Sequence, residues 1–245
     1  MDIQLIQQHC PVFYHDKYER EPLINMNEYV INKQEQQDNS CTAVVVDFPG
    51  KTLIHYFFFY PKDNGLRKLG VYIDAHKYDL EHVIVELAQD KVSGVCYLPH
   101  GSAEFFWVRG SDLDKLLVNE KQPKVYASRD KHGSYPLPGT IRRYFNFADD
   151  HNIPVEIPIK AVPAAPALMA VDLIDGKFPA IRSRIGGDFS QYPVISLAKV
   201  YVHLLFKVPV EAKPFLMTHR VVTTILILCI IALIFTIIAL VGSKK

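Results

Sequence analysis

Hydrophobic residues fall in short runs separated by turn-forming residues through most of the first 150 positions. Thr42–Phe48 (TAVVVDF) is β-branched and apolar, and Thr52–Tyr60 (TLIHYFFFY) follows it across Pro49–Gly50. A Pro-Gly pair between two such runs predicts a hairpin. His82–Leu87 (HVIVEL) and Gly94–Leu98 (GVCYL), separated by AQDKVS, predict a second. Glu104–Val108 (EFFWV) and Val125–Ala127 (VYA) add shorter strands. Strands this close together, with turns between them, point to a sandwich rather than to βαβ units. Helical pattern is sparse: Leu23–Lys33 predicts a short helix, and Pro138–Asp150 one or two helical turns. The expected fold is mainly β, an antiparallel β-sandwich over 1–152 with few short helices.

After residue 152 the pattern changes. IPVEIPIKAVPAAPALMAV is rich in proline and small apolar residues, so it is expected to be extended. Ile195–Phe206 fits a strand or an amphipathic helix, and periodicity does not separate the two. Residues 153–220 are read as a Pro-rich stalk or packing extension. Val221–Val241, centred near Ile230, then holds neither a charge nor a proline. At ~1.5 Å per residue it spans about 31 Å, the thickness of a hydrocarbon core, and so predicts a transmembrane helix. Residues 242–245 form a short basic tail. The N-terminus has no basic segment followed by an apolar run, so no secretory signal is expected. The combined expectation is a tail-anchored, single-pass protein whose bulk domain faces the cytosol, or lies on one side of an internal viral membrane.

Charge narrows the partners. Leaving out Lys244 and Lys245, the chain carries 25 basic and 26 acidic residues. That balance, with no basic cluster, argues against nucleic acid and leaves a lipid bilayer and a protein as expected partners. Cys10, Cys41 and Cys96 have no metal-site spacing, and Cys229 falls in the predicted membrane helix. Three cysteines outside that helix cannot all pair, which fits a reducing compartment.

The stretch Asp74–Leu87 (DAHKYDLEHVIVEL) carries the most chemistry. Asp79 and Glu81 are two apart at a strand start, so both carboxylates project from one face. Val83 and Val85 continue that face inward, and His76 precedes the acids in a turn. One imidazole and two carboxylates at a sheet end suit a hard divalent cation, Mg²⁺ or Ca²⁺, better than Zn²⁺. The bland alternative is a salt-bridged strand end. Asp74, His100 and His132 are candidate neighbours, the last two in His-Gly turns where the backbone can bend sharply. No phosphate loop, nucleophile elbow or paired-cysteine motif is present, and no serine is nominated as a nucleophile.

The order of these segments resembles the vacuolar protein sorting-associated protein 62 family over roughly residues 9–151. HCPVFYHDKYEREPLINMNEYV resembles its opening, and HYFFFYPKDNG its aromatic strand with an Asn-Gly turn. HKYDLEHVIVEL, GVCYLPHGSAEFFW and PKVYASRDKHGSYPLPGT resemble its later motifs in order. The central motif is also similar to the GHRHDWE heptapeptide of the necrosis- and ethylene-inducing peptide-like proteins. These are β-sandwich cytolysins that hold a divalent cation in an acidic pocket and bind sphingolipid head groups. That resemblance puts His76, Asp79 and Glu81 on cation-pocket positions and His100 on the adjacent turn. Asp63 and Asp74 are candidates for a further acidic ligand by position. Leu80, Tyr78 and Ala75 depart from the motif's Trp, second His and first Gly.

Two functions follow as expectations. One is a membrane-anchored β-sandwich that acts as a binding or structural module, in trafficking or in the shell of a membrane-containing virus. The other is a divalent-metal-dependent protein that binds, or hydrolyses, a lipid or sugar head group.

Overall fold

The computed structural model describes residues 2–68, 71–73, 75–99, 104–143, 149–170 and 184–203. The chain opens with α1 (Ile3–Gln8), started by the Asp2 carboxylate, which accepts from the Gln4 and Leu5 amides. β1 (Val12–Asp16) and α2 (Met26–Asn32) follow, the latter capped by Asn25. β2 (Ser40–Phe48) turns through Pro49–Gly50, with Gly50 at φ +80°, into β3 (Lys51–Asp63). A small ribbon of β4 (Leu66–Lys68) and β5 (Val71–Ile73) leads to β6 (His76–Ala88). β7 (Lys91–Leu98) and β8 (Phe106–Val108) complete a meander. Next come α3 (Leu113–Leu116), β9 (Leu117–Val118), β10 (Gln122–Ala127), β11 (Ser134–Tyr135), β12 (Gly139–Ile141) and β13 (Asp150–Asn152). The described remainder holds β14 (Pro154–Ile157), β15 (Lys160–Pro163), α4 (Pro166–Ala170) and α5 (Leu197–His203).

Two sheets face each other. One has six strands in the order β15-β2-β3-β6-β7-β8; the other runs β11-β10-β1-β14, with β9 beside β10. Phe13, Val125, Ala127 and Tyr135 from the second sheet meet Tyr56, Phe58, Tyr60, Val83, Val85 and Tyr97 from the first in one core. Phe13 stacks on Phe58 with ring centroids 4.7 Å apart. The outer face of the six-stranded sheet is covered as well. Phe57, Phe59 and Leu80 pack with Ile24, Met26, Tyr29 and Leu168. Leu53, Ile84, Cys96 and Trp107 pack with Phe189. A strand buried on both faces needs apolar residues at every position, which accounts for the unbroken run in TLIHYFFFY. Among the buried polar residues on that outer face are His55 and His82, whose ring nitrogens lie 2.9 Å apart. Burial pushes the His55 imidazole down to about 3 and His82 well below its usual range, so both are neutral.

The mainly β character with few short helices matches the hydrophobic pattern. Three expectations are corrected. The pairing is not wholly antiparallel, because β1 runs parallel to β10 and β15 parallel to β2. The helical turns expected within Pro138–Asp150 are absent among its described residues; β12 and β13 pair there instead. Thr140 is β-branched and Gly139 takes φ +100°, both of which favour a strand and turn over a helix. The third correction concerns localisation: among the described residues no helix is long and apolar enough to cross a membrane. Val221, Ile230 and Val241, on which the single-pass anchor was expected, lie outside the described residues. The described part of 153–220 contributes β14 to one sheet and β15 to the other.

Truncating the central ring of the core tests this packing. Phe58→Ala is expected to lower the unfolding free energy by about 3–5 kcal/mol in a urea titration. A loss below about 1 kcal/mol is incompatible with a ring fully enclosed between the two sheets.

Candidate functional site

The site forms where the β3–β6 ladder ends. The register pairs Tyr60 with Asp79, Lys62 with Lys77 and Asp63 with His76. In a regular strand, residues three apart point to opposite faces. Tyr78, between His76 and Asp79, adopts φ +62° and resets the alternation. A left-handed tyrosine costs about 1–3 kcal/mol, so its surroundings must hold it there. They do: its ring packs 4.7 Å from Tyr29 and 5.7 Å from Phe59, and its hydroxyl donates to Glu35 at 3.0 Å.

The result is a cluster of Asp63, His76 and Asp79, with one ligand atom from each lying within 4.8 Å of the others. Donors bound to one ion at 2.0–2.6 Å lie within about 5 Å of each other, so the set fits a single hard cation. Two carboxylates and one imidazole suit Mg²⁺ or Ca²⁺ by chemistry, and the spacing does not choose between them.

The electrostatics agree. Burial, then the charge of Asp79, push the Asp63 carboxyl up to about 6, despite the Gly65 amide that donates to it. Glu81 lies one strand period further in, beside the core. Burial followed by Asp79 and Asp63 holds its carboxyl well above the usual range, and the Ser134 amide donates to it at 3.3 Å. Carboxyls raised by burial and by one another favour the arrival of a cation, which displaces their protons.

Behind Asp79 stands His132. Its Nδ1 is 3.0 Å from the Asp79 carboxylate and its Nε2 is 3.5 Å from Glu19. Its ring stacks on Tyr60 at 3.7 Å and 10°. Burial alone would lower its pKa, but the hydrogen bond to Asp79 and the nearby Glu19 carboxylate outweigh that and raise it to about 9. Glu19 is held at about 2: burial pushes it up, while His132 and the Glu21 and Asp130 amides pull it down further. The imidazolium therefore fixes the Asp79 carboxylate through Nδ1, as a metal ligand's supporting partner does. Glu19 also lines a separate cleft of about 300 Å³ with His15, Arg20, Leu23, Gln37 and Asn39, to which the three cluster residues do not contribute.

A second buried polar group contrasts with this one. Arg143 bonds Glu104 at 2.9 Å and Asp150 at 3.3 Å, while Lys131 and Tyr135 also reach Asp150. Arg143 and Lys131 there pair with Glu104 and Asp150, which ties the β12–β13 region to the loop before β8.

Of the residues singled out in the sequence, His76 and Asp79 come together, Glu81 sits deeper, and His132 acts behind Asp79. Asp74 and His100 lie outside the described residues. Asp63 was identifiable only by position. Glu19 carried no signal at all, since its partners are 113 and 111 positions away, at His132 and Asp130.

No family model matches the chain. No curated protein matches it either. Solved structures that are similar include NLPPya in complex with mannosamine, 14% identical, covering 70% of this chain and 80% of that one, with a TM-score of 0.43. Another is Necrosis and Ethylene inducing Protein 2 from the causal agent of cocoa's witches' broom disease. It is 15% identical, covers 76% of this chain and 91% of that one, and has a TM-score of 0.44. A third is described as a toxin fold for microbial attack and plant defense, 14% identical over 70% and 81% of the two chains, with a TM-score of 0.44. They are the class that the central heptapeptide resembles. The resemblance to the vacuolar sorting family gains no support, nor do trafficking, virion or bilayer roles. Likenesses this distant carry nothing about the chemistry of the cluster.

The His132 clamp makes a pH-dependent contribution to stability. Its folded pKa is raised above the unfolded 6.5 to about 9. The contribution is complete below pH 6.5 and is lost as pH rises through about 9. Urea unfolding at pH 6, 8 and 10 is expected to show this fall in the native chain and a flatter profile in His132→Gln. Equal slopes in the two proteins would show that the clamp is not charged.

Proposed function

We propose that the chain is a divalent-cation-dependent binding module, with Asp63, His76 and Asp79 holding a Mg²⁺ or Ca²⁺ ion at one end of a β-sandwich. The observation that supports this reading is that those three side chains each bring a ligand atom within 4.8 Å of the others. Glu81 lies behind the cluster, and His132 orients Asp79. An ion held by three protein donors keeps positions open for oxygen ligands, since these cations take six or more. Adjacent hydroxyls on a sugar, or the oxygens of a lipid head group, suit such positions. Binding of a head group is therefore favoured over its hydrolysis: nothing among the described residues at the cluster is arranged as an activated nucleophile with its own base.

Calorimetric titration of the chain with Mg²⁺, Ca²⁺ and Mn²⁺ tests the cation. Saturable binding is expected, reduced at least tenfold by Asp63→Asn and by Asp79→Asn. Absence of binding to the folded chain by all three ions, or unchanged binding in both variants, sinks the proposal. Because Asp63 titrates near 6 and must shed its proton to act as a ligand, affinity should climb between pH 5 and pH 7 and level off above. The ligand is tested with mannosamine in the presence of the best ion and then of a chelator. Binding that survives the chelator would separate sugar recognition from the cluster.

A further inference from the structure

Cys10 and Cys41 lie 31 positions apart in the sequence, yet their sulfurs are 4.0 Å apart. Cys10 sits between α1 and β1, and Cys41 is the second residue of β2. Those strands belong to different sheets, so the pair spans the main core, where both side chains are buried. The backbone on each side is fixed. The carbonyl of Cys10 accepts from the Gln122 amide group at 3.0 Å, and the Ile6 carbonyl accepts from the Tyr56 hydroxyl at 2.9 Å. Cys41 is in register with Ala161 of β15, whose carbonyl accepts from the Gln7 side chain. Both thiols are thus held against each other by contacts that do not involve sulfur. Among the described residues the one group with metal-ligand spacing is Asp63, His76 and Asp79, so no metal chemistry accounts for the pair. Cys96 is buried elsewhere, with Trp107 and Leu98 on the outer face of the six-stranded sheet.

We propose that Cys10 and Cys41 form a redox clasp, closing into a disulfide that fastens the two sheets together when a disulfide oxidant such as oxidised glutathione is present. The sulfurs need to approach to about 2 Å, a movement of the size that side-chain rotation supplies. One cysteine, as thiolate, attacks oxidised glutathione and releases one glutathione, giving a mixed disulfide. The second cysteine displaces the other glutathione and forms the Cys10–Cys41 bond. Two thiols lose two protons and two electrons in all, and one oxidised glutathione becomes two reduced molecules. Burial pushes the Cys41 thiol up, so the folded dithiol exchanges slowly, and the bond is expected to form chiefly while the chain folds. The closed loop would enclose β1, Glu19 and α2. Glu19 holds His132, so the clasp secures the segment that braces Asp79.

The full chain is refolded in parallel with oxidised glutathione and with excess dithiothreitol, alkylated, and mapped by mass spectrometry without reduction. The oxidised sample is expected to yield a Cys10–Cys41-linked peptide with Cys96 alkylated, and a thermal midpoint roughly 5–10 °C above the reduced sample. The Cys96→Ser variant should keep that difference, and the Cys10→Ala/Cys41→Ala double variant should lose it. Alkylation of both Cys10 and Cys41 after oxidative refolding overturns the proposal. So does a linked peptide that pairs either of them with another cysteine, or an unchanged midpoint in the linked protein.

Discussion

Eleven residue pairs join β3 to β6, from Thr52 opposite Leu87 to Asp63 opposite His76. This ladder lies in the middle of the six-stranded sheet, and its register decides almost everything else. Side chains alternate across it, so Tyr56, Phe58 and Tyr60 enter one core while Phe57 and Phe59 enter another. A slip of one residue would exchange those faces and turn Asp79 and Glu81 outward with them. Because both faces are packed, such a slip would be opposed by two cores at once. The same register sets Asp79 opposite Tyr60, the last aromatic of β3. There the apolar packing ends and Asp63 meets His76.

The two buried polar networks show how charge is handled on either side of that boundary. Around Arg143, cations and carboxylates are joined in ion pairs. Around Asp79 four carboxyl groups gather. Asp63, Asp79, Glu81 and Glu19 come together beside His132, and burial, followed by the neighbouring carboxylates, raises the Asp63 and Glu81 carboxyls. Burying like charges together is unfavourable, and an arrangement built that way is stable only if its surroundings impose it. Here the surroundings are the ladder, the left-handed turn at Tyr78 and the His132 clamp.

Much of this was legible in the sequence, for local reasons. The Pro49–Gly50 turn announced the β2–β3 hairpin, and the Asp79-x-Glu81 spacing placed two carboxylates on the face that Val83 and Val85 continue. What the sequence did not disclose was non-local or against the local rule. β6 reaches back to His76 through a left-handed tyrosine, which propensity disfavours. His132 meets Asp79 across 53 positions, and Glu19 meets His132 across 113, with no periodicity linking them. The Pro138–Asp150 stretch was misread because its polar composition resembled neither pattern clearly. Hairpin logic could not foresee the parallel pairings, because both join segments more than 100 positions apart.

Those two parallel pairings set an order of assembly. The meander from β2 to β8 uses neighbouring segments and can form as soon as its turns close. β1 must wait: its partners, β10 and β14, begin at Gln122 and Pro154. Ordering so long a stretch of chain before the contacts that reward it is the usual cause of slow folding in β proteins. The strand synthesised first therefore docks among the last, and until it does Phe58 lacks the Phe13 ring that stacks on it.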